Sequence, residues 1–224
     1  MNKAILVIML SLITTTLYAS TEVMAGISGD IINEKSFDIF SNNDWLFGPA
    51  IRIEQNIIAG RPLYLNLSLM GSTSSNEIFD GVKTELALLY LSGGVSYRHN
   101  VLSDIVHVYG GINFIYGFSD IKFSESVLSY TDSSVSYGAT LYGGLRLNFP
   151  QSIIRGEGWE KQHWHELITF GLDIQAGYKI LTPFSFENLR SSEGKAETAR
   201  QYNVGIGEIN TGGPYIITSV VFVF

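Results

Sequence analysis

Charged and titratable side chains recur on one face of several alternating segments, where they could support proton transfer or an ion path. They are Asp30, Arg52, Glu54, Arg98, His107, Arg146, Asp173 and Lys179. Both signs of charge are present, and an unpaired charge in a narrow interior is costly. We therefore predict an internal network of salt bridges and hydrogen bonds that fills the structure, rather than a catalytic cluster.

A second candidate is the tripeptide at 163–165, which places His163 and His165 two residues apart. On a strand the two imidazoles would share a face and could supply half of a metal site. The chain has no Cys, and the only nearby carboxylates are Glu160 and Glu166. The alternative is that Trp159 and Trp164 anchor a turn at a membrane interface. We favour this alternative and predict neither a metal site nor a cofactor.

Hydrolytic chemistry would need a serine, a histidine and a carboxylate together at one rim. His99 and His107 are the histidines available for it, and neither belongs to a recognisable motif. The glycine pairs at 93–94, 110–111 and 143–144 lie inside strands. There, glycine more often permits curvature or close packing than phosphate binding. We predict no catalytic residues, while a rim-active lipid hydrolase or acyltransferase stays an alternative.

The elements that must position these residues are strands, because apolar and polar residues alternate along the chain with a period of two. The alternation predicts eight strands, at 23–31, 45–53, 63–70, 84–98, 105–118, 134–149, 166–180 and 211–224. Polar loops are expected at 33–44, 71–81, 119–133 and 182–208, with shorter connections between them. The connection at 150–162 is longer than a tight turn. An even strand count with longer loops at one end is typical of membrane barrels.

Alternation alone does not say which face is inside, and a soluble lipocalin-like barrel would turn its apolar face inward. The polar face here carries Gly, Ser, Thr and Tyr with few charges, as a narrow lumen requires. Aromatic residues lie near strand ends on the apolar face, as in the girdles of membrane barrels. The predicted girdle comprises Trp45, Phe47, Tyr97, Phe118, Tyr137, Phe149, Tyr178 and Phe222. Both features favour lipid outside and a filled lumen inside.

Composition points the same way. Charged residues make up 16% of the chain, against roughly 25% in soluble domains. The net charge of −7 argues against nucleic acid as a partner, and the absence of Cys excludes disulfides and thiolate chemistry. Residues 1–19 combine Lys3, an apolar run at 4–12 and Ala19 in the pattern of a signal peptide. The expected mature domain is 20–224.

The terminal segment at 211–224 is apolar, β-branched and aromatic, and Phe222 and Phe224 share one face. It resembles the C-terminal assembly signal of bacterial outer-membrane barrels. With the eight alternating segments, the whole mature chain, 20–224, resembles a small barrel of the OmpA/OmpX type without a periplasmic domain. The resemblance implies an all-β, eight-stranded, antiparallel up-and-down transmembrane β-barrel in the bacterial outer membrane. Implied partners are outer-membrane lipids, lipopolysaccharide and the barrel-assembly machinery.

Such a barrel is expected to be non-enzymatic. It would serve envelope structure, surface interaction or adhesion, because binding sites favour loops held by a rigid scaffold. The loop at 182–208 is the best candidate contact surface for a surface ligand, because it carries the charged residues Glu187, Arg190, Glu193, Lys195, Glu197 and Arg200. It could equally be a mobile solvated loop. The other alternative is a narrow pore, which a packed lumen disfavours.

Overall fold

The computed structural model describes residues 21–58, 61–78, 81–102, 105–125, 128–149, 169–187, 189–191 and 207–223. The long strands are β1 (Thr21–Ile31), β2 (Trp45–Asn56), β3 (Leu63–Ile78), β4 (Val82–Leu102), β5 (Val106–Glu125), β6 (Leu128–Asn148), β7 (Thr169–Leu181) and β11 (Gly213–Val223). The short elements are β8 (Phe184–Phe186), β9 (Arg190–Ser191), β10 (Gly207–Ile209) and a 3₁₀ helix (Lys35–Ile39). No helix in these ranges is long and apolar enough to span a membrane.

The eight long strands form one closed antiparallel barrel. Each pairs with its neighbour along the chain from β1 to β7, and β11 lies between β7 and β1. The closing contact pairs Asp30 with Tyr215 and Val23 with Phe222. The prediction of an eight-stranded antiparallel up-and-down barrel is therefore confirmed.

The strands are tilted, as closure of a barrel requires. Following paired residues once around, from Asn56 through Tyr64 and the other strands to Asp30, returns to β2 at Leu46, ten positions before the start. Side chains distant along the chain therefore meet at one level inside. An eight-stranded barrel leaves an interior that side chains can fill.

The two faces of the wall differ sharply in burial. Leu141 and Ile180 are 65% and 67% exposed on the outer face, whereas Arg146 and Asp173 are fully buried inside. This is the orientation that the alternation and the small polar residues indicate. A barrel with such an exterior has its apolar surface where lipid would lie.

One part of the wall is taller than the sequence predicts. Two segments expected as loops, 71–81 and 119–133, are mostly strand. In the first, β3 and β4 pair as far as Ile78 and Val82. In the second, β5 and β6 pair as far as Glu125 and Leu128. Ser, Thr and Asn are abundant here and resemble turn signals. In the barrel they alternate between the two faces of a solvated sheet instead. The predicted asymmetry of loop lengths is therefore wrong for these two hairpins.

We call the end where β2 meets β3 and β4 meets β5 the turn end, and the opposite end the loop end. At the loop end, the connections fold over the barrel and β8 pairs with β10. Their apolar side chains pack against inward residues of the tall strands. This mouth core comprises Ile32, Phe37, Phe40, Leu86, Leu88, Ile115, Ile121, Phe184, Phe186 and Ile209, all buried.

Hydrogen bonds hold the connection between β1 and β2 in place over the barrel mouth. The hydroxyl of Ser74 donates to the carbonyl oxygen of Phe40 at 2.7 Å, and that of Thr84 donates to the carbonyl of Ile39 at 2.7 Å. Because a buried backbone carbonyl without a partner is costly, these inward hydroxyls determine where the connection lies.

Candidate functional site

The barrel interior holds a cluster of six charged side chains near the turn end. This charge cluster comprises Glu22, Arg52, Glu54, Arg98, Arg146 and Asp173, each at most 6% exposed. These side chains come from five strands of the barrel, β1, β2, β4, β6 and β7, and each occupies an inward-facing position of its strand. Three guanidinium groups face three carboxylates, so the cluster can be neutral as a whole. Neutrality of this kind offsets the cost of removing the charges from water.

Arg146 lies at the centre of the charge cluster. Its Nη1 donates to Glu22, its Nη2 lies 3.0 Å from Oε2 of Glu54, and its Nε lies 3.1 Å from Oδ2 of Asp173. One fully buried side chain therefore connects β6 to β1, β2 and β7. The planar guanidinium suits this role because it offers five donors in fixed directions.

The other two arginines complete the pairing. Arg98 binds Glu22 through two parallel contacts of 2.6 and 2.7 Å, and its Nη2 lies 2.7 Å from Oε2 of Glu54. Nη2 of Arg52 lies 2.7 Å from Oδ1 of Asp173, and that oxygen also accepts a 2.7 Å hydrogen bond from the hydroxyl of Tyr109. Paired, hydrogen-bonded charges of this kind rigidify an interior.

A second ion pair lies between the charge cluster and the mouth core. Nζ of Lys179 is 2.7 Å from Oδ1 of Asp30, and both side chains are buried. The ammonium also lies 4.2 Å from the ring centroid of Tyr90, a cation–π distance. The Tyr90 hydroxyl donates to Thr211 at 2.6 Å. Pairing with a carboxylate and an aromatic face makes a buried lysine tolerable.

His107 lies apart from both groups, close to the turn end. Its Nδ1 is 2.6 Å from Oδ1 of Asn100, and its Nε2 is 2.9 Å from Nδ2 of Asn148. Two amides therefore set the orientation of the ring. The eight charged or titratable residues singled out in the sequence all point inward, but the structure divides them among the charge cluster, the Lys179–Asp30 pair and His107.

The eight aromatic residues expected at the membrane interfaces all lie on the outer face. Seven are between 38% exposed (Phe149) and 58% exposed (Phe47), and Phe222 is half-buried. Those toward the loop end are Trp45, Phe47, Phe118, Tyr137 and Tyr178, and those toward the turn end are Tyr97, Phe149 and Phe222. In the described strands, no charged side chain lies on the outer face between the two sets. We call this apolar band the belt.

The terminal strand brings Phe222 beside Phe170, with ring centroids 5.2 Å apart, and opposite Val23 of β1. Phe224 lies outside the described residues. So do residues 1–19, the 150–162 connection, the 163–165 tripeptide with Trp159, Glu160 and Glu166, and positions 192–206 of the charged loop.

Similar solved structures are small outer-membrane proteins. This chain shares the fold of Ail. The crystal structure of Ail, the attachment invasion locus protein of Yersinia pestis, gives a TM-score of 0.50 at 9% identity over 92% of this chain and 99% of that chain. Its complex with the heparin analogue sucrose octasulfate gives 0.51 at 11% identity, with the same coverage. Neisserial surface protein A gives 0.47 at 11% identity over 92% and 95%.

No protein-family model matches this chain, and no curated protein matches its sequence. At identities near one in ten, the likeness to Ail shows a common barrel fold. The ligand and the activity of this barrel must therefore be argued from its own side chains.

Sequence reasoning missed Glu22, a central member of the charge cluster. The signal was present, since Glu22 and Met24 continue the alternation of Ser28 and Asp30 back toward the start of β1. Reading the first strand from position 23 excluded it. The aromatic residues of the mouth core were missed for another reason. These residues, which include Phe37, Phe184 and Phe186, lie in connections between the long strands. There the sequence has no long alternating pattern that would predict which side chains are buried.

Proposed function

We propose that this protein is an integral barrel of the bacterial outer membrane and that it acts by surface interaction at its loop end, without catalysis. The observation that carries the proposal is the unequal height of the wall. Strands β4, β5 and β6 contain 21, 20 and 21 residues, whereas β1 and β11 each contain 11. A strand needs about 9–11 residues to cross a membrane. The surplus of the tall strands therefore stands beyond the belt.

The surplus is built as a surface for water rather than for lipid. Above the belt the outward residues become hydroxylic or charged, as with Ser75, Glu85, Lys122 and Thr131. On the inner side, the mouth core supports the same strands. A polar face on a rigid, packed scaffold is the arrangement that binding surfaces commonly use.

The belt and the terminal strand support the remaining parts of the proposal. The aromatic residues at the two edges would serve as membrane girdles. The C-terminal segment of the sequence, with Phe222 and Phe224, would be the signal that the barrel-assembly machinery recognises. Residues 1–19 would direct export as a signal peptide, and residues 20–224 would form the barrel domain. Outer-membrane lipids, including lipopolysaccharide, would surround the belt.

The loop end of this barrel is acidic, which bears on the class of its ligand. Its described side chains include three lysines and nine carboxylates. They are Lys35, Lys83, Lys122, Glu34, Asp38, Asp44, Glu77, Glu85, Asp120, Asp132, Glu187 and Glu208. Ail was crystallised with a heparin analogue, but a surface of this sign repels polyanions. We expect a neutral or cationic ligand here, with the loop at 182–208 among the contact surfaces.

The filled interior argues against the alternative of a narrow pore. The charge cluster and the mouth core lie one behind the other along the barrel, and an ion would have to displace both. The lipid-enzyme alternative would place a nucleophile and a base at a rim. The hydrogen bonds of His107 to two asparagine amides do not favour that arrangement.

Single cysteines test the membrane topology cleanly, because the chain has none of its own. Ser75→Cys and Thr131→Cys at the loop end should react with a membrane-impermeant maleimide on intact cells. Ile58→Cys, exposed at the turn end, should react only after the outer membrane is permeabilised. Equal labelling of all three sites on intact cells, or labelling of Ile58→Cys alone, would contradict the proposed orientation.

Adherence of cells that display the barrel tests the function itself. We expect adherence to immobilised neutral or cationic ligands and none to heparin. Glu193→Ala and Glu197→Ala together should alter it, whereas Arg61→Ala at the turn end should not. If displaying cells adhere no better than cells without the barrel, surface interaction is the wrong function even where the topology is right.

A further inference from the structure

Two adjoining depressions on the outside of the barrel cross the edge of the belt that faces the loop end, which we call the upper edge. The lower one, the belt pocket, has a volume of about 350 Å³. Its walls include Phe47, Pro49, Gly71, Ala87, Leu89 and Phe118. The upper one, the rim groove, has a volume of about 1010 Å³. It is lined by Thr73, Ser75, Glu85, Asp120, Lys122 and Thr131, among others.

The two depressions meet at one row of paired residues. Thr73 pairs with Ala87, Ala87 pairs with Asp120, and all three line both depressions. Below this row the exterior is apolar, and above it the exterior is polar. One molecule lying along β4 and β5 would therefore contact an apolar surface at one end and a polar surface at the other.

The belt pocket exists because small residues stand between large ones. Gly71 and Ala87 are flanked by Phe47 on β2 and Phe118 on β5. A Cβ on Gly71 would make only ordinary contacts, 3.6 Å from Leu89 and 3.8 Å from the carbonyl of Leu88. Crowding therefore does not require glycine at this position. The absence of a side chain at Gly71 instead leaves the floor of the belt pocket open.

The belt pocket is continuous with the lipid-facing surface. Phe47, Leu89 and Phe118 are between 42% and 58% exposed, so in a membrane they contact acyl chains. An acyl chain fits this pocket, because its lining is apolar and a water-soluble molecule would have to leave water to reach it. Volumes of about 300–1,000 Å³ are ordinary for ligand sites.

The charges of the rim groove select the headgroup. Nζ of Lys122 lies 3.6 Å from Oε2 of Glu85, and Nζ of Lys83 lies 2.6 Å from Oε1 of the same carboxylate. Both ammonium groups therefore have an anionic neighbour already. Asp120 stands at the junction with the belt pocket, where it would repel a phosphate and accept hydrogen bonds from hydroxyl groups.

We propose that the belt pocket and the rim groove form one binding site for a glycolipid, with an acyl chain below and an uncharged, hydroxyl-rich saccharide above. Asp120, Thr73, Ser75 and Thr131 supply hydrogen-bonding groups to the sugar. The site rests on the proposed membrane location and gives the loop end a lipid partner in its own leaflet.

The test uses the whole barrel in phosphatidylcholine nanodiscs that contain equal small fractions of digalactosyl diacylglycerol and phosphatidylglycerol. Native mass spectrometry counts the lipids that stay bound. We expect enrichment of the galactolipid several-fold above its share of the bilayer. Gly71→Leu should abolish the enrichment by filling the belt pocket. Gly93→Leu is the matched control, since Gly93 is also an outward glycine with contacts of 3.6 Å and should keep it.

The headgroup contact has its own pair of variants. Asp120→Asn should weaken galactolipid enrichment about tenfold, the size expected for one hydrogen bond to a charged group. Glu77→Gln, an outward carboxylate outside both depressions, should leave it unchanged. Enrichment of phosphatidylglycerol instead, no enrichment at all, or enrichment that survives Gly71→Leu would each overturn the proposal. Failure of the barrel to enter nanodiscs would show separately, before any lipid is counted, and would remove the membrane location as well.

Discussion

The two halves of the barrel interior are filled by opposite chemistry. Toward the turn end, the charge cluster joins six acidic and basic side chains that come from strands alone. Toward the loop end, the mouth core joins aromatic and aliphatic side chains that come from connections and strands together. Both halves consist of buried side chains, but only the first is filled with charge.

This difference follows from what can reach each region. Where the wall is closed around the charge cluster, only side chains that project inward from strands can reach the interior. Long arginines span this space and bind carboxylates of other strands. At the loop end, connections fold back over the opening and bring phenylalanines with them. The charge cluster therefore ties strands to one another, whereas the mouth core orders the surface that faces outward.

The largest expected effect comes from breaking the charge cluster at Arg146. Arg146→Met leaves Glu22, Glu54 and Asp173 with one cation too few among buried side chains. Removing one partner of a buried ion pair typically costs about 3–5 kcal/mol. Urea unfolding of the barrel in lipid vesicles should show a loss of this order.

A double variant and a surface variant serve as controls for Arg146→Met. Adding Glu22→Gln to Arg146→Met restores equal numbers of opposite charges and should recover part of the lost stability. Lys83→Met removes an exposed cation at the rim and should change the free energy of unfolding by no more than about 0.5 kcal/mol. A loss below about 1 kcal/mol for Arg146→Met alone would mean that the charge cluster is not what ties the strands.

A smaller and more local effect is expected in the mouth core. Phe184 is fully buried and lies 6.5 Å from Tyr90 and 6.4 Å from Phe186, measured between ring centroids. Phe→Ala in a well-packed core costs about 3–5 kcal/mol, and for Phe184→Ala we expect the free energy of global unfolding to fall by less than this. Here the loss should fall mainly on the pairing of β8 with β10, since the barrel wall keeps its own hydrogen bonds.

Hydrogen exchange separates the two regions in this variant. Amides of β8 and β10 should lose protection, while those of β1 and β2 keep theirs, and global unfolding should shift less than with Arg146→Met. If β1 and β2 lose protection to the same extent as β8, the two halves unfold as one unit and the division between them is wrong.

Most of the charge cluster could be predicted from the sequence, with Glu22 as the exception, whereas the part of the mouth core that comes from connections could not. Arg52, Arg98, Arg146 and Asp173 fall at inward positions of a period-two pattern, so their meeting inside a closed barrel follows once the barrel is assumed. Which arginine binds which carboxylate depends on the tilt of the strands, and no local pattern carries that information.

The mouth core also explains where the alternation fails. Residues 86–91 of β4 are apolar on both faces, which leaves the register of the strand undecided from the sequence. In the structure Leu86 and Leu88 face inward against the folded connections, while Leu89 faces the belt. With the mouth core against its inner face and the belt on its outer face, this part of the strand has no polar face. The ambiguity was therefore a sign that something covers the inside of the strand at that level.

The smallest effect is expected where a carboxylate and an ammonium meet in solvent. Nζ of Lys83 lies 2.6 Å from Oε1 of Glu85, as close as the contacts of the charge cluster, but the side chains are 56% and 36% exposed. The hydrogen bond from Lys83 holds the pKa of Glu85, which stands above the belt, below its ordinary value. Any stabilisation is thus present at neutral pH and is lost as the pH falls through that lowered pKa.

Water and salt screen such a pair, so Glu85→Gln should change the free energy of unfolding by no more than about 0.5 kcal/mol. NMR titration should show the lowered pKa, and Lys83→Ala should raise it. A stability loss comparable to that of Arg146→Met would mean that burial does not distinguish the interior charges from those at the rim.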